Sequence, residues 1–171
     1  ATVYGLQAID TRAWADATEG ETEELKHRAS DTLTLATNTG ALRDVVLCYS
    51  EGRFIDGDRA QPRATFESML NTTFDRQADQ YNLYFTYQNE TGDRERRLVS
   101  EASSGEDKRP PTSAAVVTTT VTLTNKMRTH RGDTCDPIPI SIENDSAFYV
   151  QEDVTEGAPL YNIVEVRLVV W

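Results

Sequence analysis

Lysine is nearly missing from this chain. Of 17 cationic residues only Lys26, Lys108 and Lys126 are lysines, set against 28 acids and a net charge of −11. A chain without a basic footprint is a poor ligand for nucleic acid, so that class of partner is excluded. The arginines are dispersed, and the densest group, Arg94, Arg96 and Arg97 with Glu95 inside it, reads as the solvated start of a strand. Long apolar runs are absent too. No stretch approaches the roughly 20 apolar residues that span a bilayer, and no charged segment followed by an apolar core marks a signal peptide. The chain opens without Met at Ala1-Thr-Val-Tyr. That start reads as a processed or truncated N-terminus, with any anchor lying upstream.

Chemistry-bearing motifs are equally scarce. There is no Gly-x-Ser-x-Gly elbow and no glycine loop to cradle phosphate. The two histidines, His27 and His130, fall in different elements without ligand spacing, so they read as solvated or core residues, and neither a metal nor a cofactor is expected. The acid pairs Glu23/Glu24 and Glu152/Asp153 read as solvated faces rather than acid–base dyads. We therefore expect a protein that is not an enzyme.

What is abundant is acid and threonine. An acid-rich, lysine-poor soluble domain looks like a protein from a high-salt organism, where strong screening makes a large net charge tolerable and the charge maintains solubility. The length of 171 residues suits one domain with one sizeable core.

The closing stretch Leu160–Trp171 is the longest β-type run. Leu160, Val164, Val166, Leu168 and Val170 share one parity; Tyr161, Ile163, Val169 and Trp171 share the other. Such a strand is expected to lie inside a sheet and to be covered on both faces, at least near Ile163 and Val169. Val166 and Leu168 are expected to meet Leu33, Val46 and Leu70, with Glu165 and Arg167 pointing to solvent or to a partner subunit.

Upstream, Val3, Leu6, Ile9 and Ala13 fall at helical spacing up to an interruption at Gly20. Leu25, Ala29, Leu33 and Ala36 form one stripe and Leu42, Val45, Val46 and Tyr49 a second, separated by a stop at Asn38-Thr-Gly40. Phe66, Met69, Leu70 and Phe74 predict a short helix. Tyr81, Leu83, Phe85 and Tyr87 change the period to two, and Asn89-Glu-Thr-Gly-Asp93 predicts a hairpin turn returning through Arg96–Ser100. Ala114–Thr124 predicts a strand. Residues 52–62, 103–113 and 125–136 read as loops, and Ile138–Ile142 and Ala147–Val150 as irregular or edge structure. Helices first and strands later give an α+β fold: N-terminal helices packed on an antiparallel sheet of about four strands, with the C-terminal strand interior. Residues 1–20 read as the end of an N-terminal helix or stalk and 21–171 as a single globular head.

Two features remain as candidate sites. Cys48 and Cys135 can close one disulfide across a long loop or remain two buried thiols. Asn71-Thr-Thr, Asn89-Glu-Thr and Asn144-Asp-Ser are N-glycosylation sequons, of which Asn89, in a predicted turn, is best placed to project a glycan.

The closing Ala158-Pro-Leu-Tyr-Asn-Ile-Val-Glu-Val-Arg-Leu-Val-Val-Trp171, with Gly40–Leu47 and Phe66–Phe74 followed by Tyr81–Tyr87, resembles an uncharacterised haloarchaeal single-pass membrane protein family, type IV pilin-like in layout. The resemblance covers about three-quarters of the chain. It implies an apolar N-terminal helix ahead of an outward-facing head, with Ala1–Ile9 as that helix's end. It implies a location at the cell surface, anchored in the membrane through the absent upstream helix or built into a filament. It further implies other pilin-like subunits as partners, in homo- or hetero-oligomers. The expected role is that of a filament subunit or minor pilin. The alternative is a surface adhesion module that does not polymerise and that binds through residues 52–62, 103–113 and 125–136.

Overall fold

A computed structural model describes residues 2–49, 65–102, 109–131, 139–146, 148–152 and 158–171, with side chains described from residue 20 onward except at 49, 131 and 139. It begins with a single helix, α1, over Thr2–Thr39. Gly20 does not interrupt this helix, because a lone glycine costs helix stability only about 1 kcal/mol and here meets no neighbour within 4 Å. Ala29, Leu33 and Ala36 are buried, as the i, i+4 stripe requires. The threonines of this segment are reconciled with a helix by back-bonding: Thr32 donates to Arg28 O at 2.8 Å and Thr37 to Leu33 O at 2.8 Å. Gly40 ends α1 with φ +79°, the left-handed conformation that glycine adopts without penalty. Helix α2 follows at Ala41–Leu47 and buries five of its seven residues.

Cys48 then leaves helical geometry to start β1, Cys48–Tyr49. Helix α3, Thr65–Thr73, buries Phe66 and Leu70. A 3-10 turn at Asp75–Gln77 leads into β2, Tyr81–Gln88, and β3, Arg94–Glu101. After these come β4 (Ala115–Thr124), β5 (Arg128–Arg131), β6 (Pro139–Ser141), a 3-10 turn at Ile142–Asn144, and β7 (Leu160–Val170).

The main sheet has the order β3-β2-β7-β4, every neighbouring pair antiparallel. The expected α+β architecture, with helices on a four-stranded antiparallel sheet and an interior C-terminal strand, is what the chain adopts. β7 is held on both sides: Leu168 lies opposite Leu83 on β2 and Val117 on β4. Its end is fixed by reciprocal bonds between Gln80 and Trp171, at 2.8 and 3.0 Å. One face of the sheet, carrying Tyr81, Leu83, Phe85, Tyr87, Val164, Val166, Leu168 and Val170, joins Leu33, Val46 and Leu70 in a single core.

The other face is open over much of its area, and the expected cover holds at Val169 but not at Ile163. Ile163 is 47% exposed, while Val169, flanked by Asn82 and Val116 on the adjacent strands, is buried. Residue pattern cannot separate a strand covered on two faces from one whose second face is tiled by its own neighbours.

A second, smaller sheet has the order β1-β5-β6, with β1 parallel to β5. The stretch Arg128–Arg131, read from sequence as loop, is a strand here because β1 and β6 flank it. Pro139 is tolerated because β6 is an edge. Thr129, fully buried, places its hydroxyl 2.6 Å from Asp145 Oδ2 and 3.3 Å from Ile140 O. Tyr149 ties this layer to the helices through its hydroxyl, which donates to Val46 O. Its ring meets Tyr87 edge-on at 5.7 Å and Phe148 at 4.7 Å.

Candidate functional site

The hairpin between β2 and β3 carries the best-defined sequon. Asn89 Oδ1 accepts from Thr91 N at 3.0 Å, Thr91 Oγ1 at 2.7 Å and Asp93 N at 3.0 Å. Gly92 supplies the positive φ that closes the turn, with its N–H on Asn89 O at 3.0 Å. The amide nitrogen, the atom that a glycan would occupy, makes a single long contact of 3.4 Å to Glu95 Oε1. Residues 90–93 are exposed around it.

The other two sequons sit differently. Asn71 lies in α3, half-buried, where Oδ1 accepts from the Tyr81 hydroxyl at 2.7 Å. Asn144 is exposed at the end of the 3-10 turn Ile142–Asn144, and the middle residue of its sequon, Asp145, is buried on Thr129. Cys48 is fully buried and is not a free thiol. Pairing of β1 with β5 sets it beside His130, on the strand that leads toward Cys135, which itself lies outside the described residues. Residues 52–62, 103–108 and 132–136 of the three expected binding loops also lie outside them.

His27 is exposed on α1 and His130 is on β5. Among the described residues no group of three or more His, Cys, Asp or Glu could hold a metal ion, and no helix is long and apolar enough to cross a membrane.

The open sheet face is the surface that sequence reading missed. Register places Tyr84, Arg167 and Thr118 in one row and Arg96, Thr86, Glu165 and Thr120 in the next. The Arg96 guanidinium stacks 4.4 Å over the Tyr84 ring. Arg94 pairs with Glu165 at 3.6 Å. Beside that pair lies a recess of about 350 Å³ lined by Thr86, Gln88, Arg94, Thr120, Ile163 and Glu165 among others. Arg94, Arg96 and Arg167 thus gather around Glu165 on one face of an acidic protein. Each residue was visible in the sequence as the polar half of an alternating strand, but only register brings strands 80 residues apart into one row.

Two tyrosines show how the strand ends are sealed. The Tyr161 hydroxyl donates to Val150 O at 2.9 Å. Burial, reinforced by the carboxylates of Glu152, Asp145 and Glu90, pushes its phenol up to about 12. Tyr87 is likewise raised, chiefly by burial, although Arg97 opposes the shift. Its hydroxyl donates to Glu95 Oε2 at 3.1 Å.

The chain belongs to a family of unknown function, DUF7288, which it matches over residues 1–170. No curated protein and no solved structure matches it.

Proposed function

We propose that this member of DUF7288 is the outward-facing head of a pilin-like surface subunit, a structural part of a filament or an accessory pilin rather than an enzyme. The observation that carries this reading is α1. Its second half donates Ala29, Leu33 and Ala36 to the core against a four-stranded antiparallel sheet. Thr22 Oγ1 donates to Ser113 O at 3.2 Å, just ahead of β4. Twenty helical residues precede Thr22, about 30 Å at 1.5 Å per residue. A helix whose second half is built into the core and which continues unbroken toward the N-terminus is what a subunit needs to join a head to a shared stem.

Asn89 is the proposed glycan acceptor, and Cys48 with Cys135 the proposed disulfide, which suits an oxidising exterior. A halophilic, surface-exposed setting accounts for the net charge of −11. A second reading, a non-polymerising adhesion module, is favoured by the recess and stacked arginine on the open sheet face.

The test is to read the native gene upstream of Ala1 and to label the product on its own cells. An apolar segment with a prepilin cleavage site, and labelling along sheared filaments, is the expected outcome. A gene with no apolar segment upstream, or a product confined to the cytosol, overturns the reading. Labelling of the cell surface without filaments selects the adhesion module.

A further inference from the structure

The two edges of the main sheet are built differently. β3 carries Arg94, Glu95, Arg96, Arg97 and Glu101 in eight residues. β4, Ala-Val-Val-Thr-Thr-Thr-Val-Thr-Leu-Thr, carries no charge in ten. The uncharged stretch runs from Pro110 to Asn125 in a chain with 28 acids and 17 bases. Edge strands present a free row of N–H and C=O groups, and proteins usually blunt them with charge, proline, bulges or short length. β3 follows that practice. β4 has no proline, and its only register shift lies at its far end, between Leu123 and Thr124. Among the described residues it pairs with β7 alone.

At mid-strand, Val117 and Thr119 face the helix side but remain half-buried. There a groove of about 250 Å³ opens between β4 and α1, walled by Ser30, Thr34, Thr37 and Asn38. The groove wall is as free of charge as the strand. On the open face Val116, Thr118, Thr120 and Thr122 are exposed.

We propose that β4 pairs antiparallel with β4 of a second copy about a two-fold axis at Thr119, joining two sheets into one. Charge selects this occupant. A strand paired with itself about a two-fold sets its residues against their own kind, and like charges directly opposite are destabilising. β3 carries five charges of both signs, which must be matched and desolvated in any self-pairing register; β4 has none. Two molecules of net charge −11 repel over most of their surfaces, and this strip is where they approach without that cost. An axis at Thr119 sets Thr118 opposite the partner's Thr120 and Val117 opposite the partner's Val121. Open-face residues then meet open-face residues and the pleat continues across the joint. The dimer is closed, so it does not rest on the filament reading and forms whether or not the chain also polymerises.

The experiment is sedimentation equilibrium of the whole chain in molar KCl at about 100 µM and below, with a Kd read from the curve. The parent is expected to be dimeric. Thr118→Lys with Thr120→Lys sets like charges across two symmetry-related rungs and should raise the Kd roughly tenfold or more. Thr118→Glu with Thr120→Lys should dimerise as the parent does, because opposite charges then meet across each rung. Within the chain those substitutions also face Arg167 and Glu165 favourably. Circular dichroism and the melting midpoint report whether each variant is folded. A monomeric parent, a double-lysine variant that dimerises unchanged, or a Glu/Lys variant that does not recover overturns the proposal.

Discussion

Leu168 and Ile163 sit five residues apart on β7 and differ in which face they occupy. Leu168 is fully buried between Leu83 and Val117, whereas Ile163 is 47% exposed on the open face. Truncating Leu168→Ala removes a buried side chain whose transfer from water is worth about 1.5–3 kcal/mol, and it leaves a cavity that the flanking strands cannot close. The expected loss is about 2–5 kcal/mol. Ile163→Ala removes a side chain already half in water, with no enclosed cavity, and should cost about 1 kcal/mol or less. Against a total stability of about 5–15 kcal/mol, the first change is severe and the second mild. Urea unfolding at one fixed KCl concentration measures both, with an unchanged m-value showing that the native states are comparable. For a domain of this length the Leu168 variant should melt about 4–20 °C lower. Equal losses at the two positions would mean that the open face is covered in solution and would refute the one-sided sheet. Deleting residues 166–171 should unfold the domain outright, because it strips Val166, Leu168 and Val170 and exposes the edges of both β2 and β4.

Arg28 donates to Thr73 O at 2.7 Å and Asp79 Oδ2 at 3.0 Å, and lies 5.4 Å over the Phe74 ring. Arg28→Ala should cost about 1–2 kcal/mol in urea unfolding, and Arg28→Lys should recover only part, since an ammonium lacks the planar fork. The Tyr161 phenol is neutral in the fold up to about pH 12, while in the unfolded chain it ionises near 10. Above pH 10 the native state therefore holds the extra proton, and stability falls as pH rises through 10 toward 12. Tyr161→Phe should flatten that part of the pH–stability curve. With 28 acids against 17 bases, the melting midpoint should rise as KCl goes from millimolar to molar, as the Debye length contracts from about 30 Å to about 3 Å. A midpoint independent of salt would contradict the halophile reading. Cys48 and Cys135 should resist alkylation in the denatured, unreduced protein. Reduction should cost about 4–5 kcal/mol by the chain-entropy account of a loop this long, and rapid labelling of both thiols without reductant would refute the pairing.

The sequence by itself determined the helical core stripes and the strands of the main sheet, with the inward half of each. The helical stripe at Leu25, Ala29, Leu33 and Ala36, the change to period two at Tyr81, and the length of the Leu160–Val170 run are local signals. Side-chain periodicity reports local backbone geometry directly. The sequence likewise showed that Asn89 lies in a tight turn, because Gly92 and the flanking polar residues have few other uses. What only the tertiary structure decided is everything that depends on neighbours in space. Gly20 passes through the middle of α1, since one glycine is a small cost inside a long helix. Arg128–Arg131 is a strand because β1 and β6 offer it hydrogen bonds. Ile163 stands open rather than covered, because a strand apolar on both parities is equally consistent with a second layer and with none. The adjoining rows that bring Arg96 over Tyr84 and beside Arg167, and the edge position of β4 among the described strands, arise from strand order, which loop closure and core packing choose together and which no single segment encodes.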